Sequence, residues 1–159
     1  MSIISYITIP ALAFLLSILD TSFLSFYEFY NATIISSFAA LMIFAILGYR
    51  KESLVFGASC ILSLSVFSSL PVWVLVSSFL LIPSLIFYIR DKIFFDNNIW
   101  AIAIIIFLSN LVFRLLMLSL TVTTGSELTN SVISFPILNL LFGIVFLVLA
   151  KKLLTYLKP

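Results

Sequence analysis

Residues 54–89 read LVFGASCILSLSVFSSLPVWVLVSSFLLIPSLIFYI, a run of 36 residues without one charged side chain. As a single helix it would be about 54 Å long at about 1.5 Å per residue, too long for a hydrocarbon core of about 30 Å. The run therefore predicts two membrane-length helices folded back on each other. The break falls at Ser68-Ser69-Leu70-Pro71, because Pro71 has no N–H to donate and biases Leu70 away from helical backbone.

The rest of the 159-residue chain follows the same pattern, with 64% apolar residues, 9% charged ones and a mean hydropathy of +1.33. Soluble domains hold about 45–50% apolar residues. In a bilayer every backbone N–H and C=O must find its partner within the protein, which leaves helices or a closed barrel. A barrel needs apolar and polar residues in alternation, and 101–107 and 140–150 are continuous apolar runs. The expectation is an all-α integral membrane protein, a single transmembrane domain over 1–159, with six short spans at 3–19, 32–48, 54–70, 72–89, 99–120 and 132–150. The first span lacks a basic n-region and is followed by Asp20 rather than a small-residue cleavage site, so it reads as retained. The two halves of the chain share no evident inverted repeat.

Charge sets the expected topology. Arg50 and Lys51, Arg90 and Lys92, and Lys151, Lys152 and Lys158 all fall on one side of the six spans, whereas Asp20, Glu28, the turn at Pro71 and Glu127 fall on the other. The positive-inside rule then puts both termini in the cytoplasm, with three helical hairpins opening outward.

Arg114 is the one basic residue inside a span, where a guanidinium near mid-bilayer costs roughly 2.5–3.5 kcal/mol. Two readings offset that cost. The side chain snorkels to the outer headgroups, or it joins a polar cluster with Asn139, predicted at nearly the same depth, and Asn110, one turn deeper on its own helix. Asp20 and Glu28 are candidate counter-ions. Pro136 is expected within the first turn or so of the last span, where a missing N–H costs little, while Pro10 and Pro83 lie deeper and should kink their helices. Small residues at Gly57, Ser59, Ser63 and Ser65 in the third span, and at Ser36, Ser37, Ala39 and Ala40 in the second, point to close helix approach. Cys60 lies in an apolar segment and reads as a packed side chain. The aromatic stretches Phe23 to Tyr30 and Phe94 to Trp100 flank spans as interfacial belts do.

Little in the chain serves catalysis. It has no His, the commonest base and metal ligand; Asp91 and Asp96 sit in a loop beside Arg90 and Lys92 as solvated charges; and no phosphate loop or nucleophile motif occurs. The sequence points to no enzyme, metal, cofactor or nucleic-acid partner. An ion-coupled carrier needs a titratable group within the bilayer, and Asp20, at the end of a span, is the sole candidate.

Two stretches carry a resemblance to a known family. Ser134-Phe135-Pro136-Ile137-Leu138-Asn139-Leu140-Leu141, followed by an apolar run closed by Lys151-Lys152-Leu153-Leu154, resembles the final helix of the MreD rod shape-determining proteins of bacteria. Ile18-Leu19-Asp20-Thr21-Ser22-Phe23-Leu24 resembles that family's first extracytoplasmic stretch, and Gly57 falls where the family usually has a glycine. Departures are Ser63, Ser65 and Ser68, in place of a glycine-rich third span with an acidic residue near its end, and Arg114, where an uncharged or acidic residue is more usual. The resemblance implies a non-enzymatic scaffold of cell-wall elongation in the bacterial cytoplasmic membrane. Its implied partners are membrane lipid, an MreC-like bitopic protein and, through it, MreB filaments and the peptidoglycan synthases. The alternative is the similar six-helix bundle of the S-components of energy-coupling-factor vitamin transporters, which would bind a small molecule from the outer side, with Arg114, Asn110 and Asn139 as ligand contacts. Those proteins carry an Ala-x-x-x-Ala pattern in their first helix, whereas here Ala11 is followed four residues on by Leu15.

Overall fold

The computed structural model describes residues 3–24, 33–68, 70–92, 99–118 and 128–156, and every element among them is helical. The helices are α1 (Ile3–Ile18), which continues into a π-helical turn (Leu19–Phe23), α2 (Ser36–Leu47), α3 (Arg50–Phe67), α4 (Val72–Val76), a second π turn (Ser77–Leu81), α5 (Ile82–Lys92), α6 (Ile99–Leu118) and α7 (Leu128–Tyr156). With α4, its π turn and α5 forming one rod, there are six rods among the described residues. Among the described residues three stretches, Val72–Arg90, Trp100–Leu118 and Val132–Leu149, are long and apolar enough to cross a membrane, and Tyr6–Ser22 and Ser36–Leu47 are shorter apolar helices.

The 36-residue run breaks between α3 and α4. Ser68 is extended (φ −114°, ψ 154°), Pro71 holds φ −61° with ψ 139°, and the Pro71 carbonyl accepts the Val74 N–H at 3.0 Å to start the next helix. At the other end of α3 the boundary differs from the sequence expectation. Gly48 is left-handed (φ 86°), its N–H bonds the Ala45 carbonyl at 3.1 Å and the Tyr49 N–H bonds that of Phe44 at 3.0 Å. This glycine cap closes α2 so tightly that α3 begins at Arg50, four residues before the predicted span. The Arg90 guanidinium fills the space beside Gly48 where a Cβ would stand, a cation at the negative end of the α2 dipole.

The six rods alternate in direction, so one end of the bundle carries Asp20, Phe67, Val72 and Leu118 and the other carries Gly48, Arg50 and Lys92. The central rod is α2. Nine of its 12 residues are buried, and α1, α3, α5 and α7 all pack on it, while α1 lies along α3 and α6 along α7. At about 18 Å the helix alone is shorter than a core of about 30 Å, and it falls short of the predicted 32–48 span because residues 33–35 lie outside it, with Ile35 extended (φ −112°, ψ 94°).

Two prolines act differently from the helix ends around them. Pro136 is not in the first turn of its helix, because α7 starts at Leu128 and places Pro136 two turns inside it. Pro83 is fully buried just beyond the second π turn and has no N–H to offer the Phe79 carbonyl four residues back. That carbonyl lies against Gly57 of α3, in the space a Cβ would need, and glycine permits a Cα–H to face it. The aromatic core continues from there: Phe38 of α2 stands 5.7 Å from Phe79 and 4.8 Å from Phe113 of α6, and Phe113 stacks on Phe135 of α7 at 5.9 Å between ring centroids.

Candidate functional site

The first N–H groups of a helix have no partner within it and are usually met by the side chain of the N-cap residue. The N-cap of α2 is Ile35, which has no polar side chain. Asp20, on the π turn after α1, takes over that role from a different helix. One carboxylate oxygen accepts the Ser36 N–H at 2.7 Å and its hydroxyl at 2.6 Å; the other accepts the Ser37 N–H at 2.9 Å and its hydroxyl. One carboxylate thus meets four donors at the positive end of a helix dipole.

Asn139, buried in α7, holds the three residues just before α2. Its Oδ1 accepts the Ile35 N–H at 2.9 Å, and its Nδ2 donates to the Thr33 carbonyl at 2.9 Å and to the Phe135 carbonyl on its own helix at 3.1 Å. In effect α1 and α7 grip the start of the central helix from two sides.

The other predicted site residues take different places. Arg114 sets its guanidinium carbon 5.5 Å from the centroid of the Phe135 ring, a cation–π arrangement. Asn110 is buried and turns its Nδ2 to the Ile106 carbonyl at 2.8 Å on its own helix. Contacts of Ile106 with Gly143 and of Arg114 with Phe135 set the α6–α7 register, so Asn110 comes level with Asn139, and Arg114 stands one turn nearer the Asp20 end than the sequence reading placed it. As for the candidate counter-ions, both oxygens of Asp20 are engaged by Ser36 and Ser37, and Glu28 lies outside the described residues. Outside them also lie Asp96, Glu127, Lys158 and most of the two aromatic belts.

Beside the junction is a pocket of about 340 Å³. Asp20, Thr21, Thr33 and Ser68 contribute its polar lining, and Leu75, Phe79, Phe113 and Met117 its apolar part. Among the described residues no group of three His, Cys, Asp or Glu side chains is placed to hold a metal.

The sequence reading singled out Ser36 and Ser37 only as small residues. Their role as donors had a local signal, since two serines opening an apolar helix supply two hydroxyls beside two orphan N–H groups. Nothing local marks Phe113 and Phe135 among 17 phenylalanines. Comparison of the chain with protein-family models, curated proteins and solved structures finds no match.

Proposed function

We propose that the chain is a non-enzymatic scaffold of six membrane spans, termini in the cytoplasm, that serves cell-wall elongation in the manner of the MreD proteins and binds an MreC-like bitopic partner. One observation carries this reading. The two stretches that resemble that family, around Asp20 and around Asn139, are more than a hundred residues apart in sequence, yet both close on the first residues of α2. Polar side chains within the apolar bundle are used to join helices, which suits architecture. Arg114, at the same end, is the residue through which the partner would be felt.

The pocket beside Asp20 favours a second reading, the small-molecule binder of a vitamin transporter, because its polar and apolar walls at the Asp20 end would receive a ligand from outside. Affinity capture from native membranes in mild detergent, followed by mass spectrometry, separates the two. Recovery of a bitopic MreC-like protein or wall synthases supports the scaffold. Recovery of ATPase subunits with a membrane coupling protein reverses the ranking.

A further inference from the structure

A groove of about 500 Å³ runs between α5 with its π turn and α6. One wall is Leu81, Leu85 and Ile89; the other is Ile105, Leu108 and Val112. Leu81, Leu85, Leu108 and Val112 are exposed, so the groove opens sideways from the bundle. Its only hydroxyls are those of Ser77 and Ser109, and the Ser77 hydroxyl is spent on the Trp73 carbonyl at 2.8 Å.

The dimensions select the occupant. From Ser77 to Ile89 the groove follows about 18 Å of helix, a little more than half of a hydrocarbon core of about 30 Å. Spread over that length, its volume leaves a cross-section of roughly 28 Å², against roughly 80–110 Å² for a helix about 10–12 Å across. A helix does not fit between the two walls, whereas a single hydrocarbon chain does. The charge is at one end. Arg90 follows Ile89 directly, its exposed guanidinium lying beside Gly48 at the end of α2, and Arg50 and Lys51, also exposed, open α3 at the same end; Trp100 at the foot of α6 is 75% exposed, as an interfacial aromatic is. Arg114, toward the opposite end, is turned to Phe135 on the α7 side.

We propose that this groove holds one acyl chain of an anionic phospholipid from the leaflet at the Arg90 end, with the phosphate beside Arg90. The inference rests on the reading of the chain as membrane-embedded. The chain would seal the seam between α5 and α6, where few direct helix contacts form among the described residues.

The test is native mass spectrometry of the full-length protein after exposure to equal amounts of phosphatidylglycerol and phosphatidylethanolamine in mild detergent. Wild type should retain one phospholipid, with the anionic species favoured at least fivefold. Arg90→Gln should abolish that preference, and Leu85→Trp and Val112→Phe, which fill the groove from opposite walls, should each lower retention at least fivefold. Wild type free of lipid, retention without headgroup preference, or groove-filling variants that keep their lipid would each overturn the proposal. Membrane fractionation of the same preparations keeps the two readings apart: a chain absent from the membrane fraction sinks the membrane reading itself, whereas an embedded chain that carries no lipid sinks only this one.

Discussion

Asp20 and Ser37 are joined twice through a single oxygen, since Asp20 Oδ2 accepts both the Ser37 backbone N–H at 2.9 Å and the Ser37 hydroxyl. The carboxylate cannot be replaced by its amide without turning an NH₂ group toward donors. Asp20→Asn should therefore lower stability by about 1–3 kcal/mol, read as a lower melting temperature in detergent. The double variant Ser36→Ala/Ser37→Ala should cost less, because both backbone N–H bonds remain. Equal losses in the two would show that the hydroxyls, rather than the helix cap, carry the contact.

Asn139 accepts one bond and donates two, and an amide carries both the acceptor and the pair of donors this needs. Asn139→Asp keeps the bond to the Ile35 N–H and loses the two donations; Asn139→Leu loses all three. At about 0.6 kcal/mol for a typical hydrogen bond within a membrane, the leucine variant should lose on the order of 2 kcal/mol. A chemical-denaturation series in which Asn139→Leu matches wild type would remove Asn139 from the junction.

Two glycines should respond differently to the same substitution. At Gly57 a Cβ meets the Phe79 backbone carbonyl, which cannot rotate away; Gly57→Ala should destabilise by about 1–3 kcal/mol through overpacking, outweighing a helix-propensity gain of up to about 1 kcal/mol. At Gly143 a Cβ would stand 3.3 Å from Ile106 Cγ2, a side-chain atom that need give only a few tenths of an ångström, so Gly143→Ala should cost less than Gly57→Ala. Thermal unfolding of both variants in one detergent decides the comparison.

Arg114→Leu should leave expression and membrane insertion intact while reducing recovery of the captured partner at least fivefold, with Arg114→Lys in between because a lysine keeps the charge and loses the planar guanidinium. Unchanged recovery from the leucine variant would take Arg114 out of the interface.

Topology is accessible through the single cysteine. In a Cys60→Ser background, Val72→Cys should react with a membrane-impermeant maleimide in intact cells, and Lys51→Cys only after permeabilisation. The opposite pattern would invert the bundle.

The parts of the fold that the sequence made legible are those set by backbone chemistry. Pro71 breaks an apolar run in any surroundings, and the described basic residues other than Arg114 gather at one end of the bundle because successive rods run in opposite directions. Helix order was not legible. A helix that is apolar all round presents no stripe to show what it packs against, so α2, covered by four neighbours, reads like its lipid-length companions; only its small residues, Ser36, Ser37, Ala39 and Ala40, hinted that backbones crowd around it. Asp20 reads from sequence as a charge at a span end, and its use becomes visible only once Ile35 is seen to leave α2 without a cap of its own. The register of α6 on α7 was out by one turn for the same reason that Pro136 was misplaced: α7 begins before Val132, where hydropathy put its start, and hydropathy does not see the polar first turn of a helix.

The bond from Asn139 to the Ile35 N–H spans 104 residues, whereas Asp20 reaches Ser36 across 16. During synthesis the first grip on α2 is available almost at once and the second only when α7 has emerged. A chain interrupted before α7 has a central helix fastened on one side alone, with the Ile35 N–H and Thr33 carbonyl still seeking partners. The junction around α2 is therefore complete only in a chain that has been translated through α7.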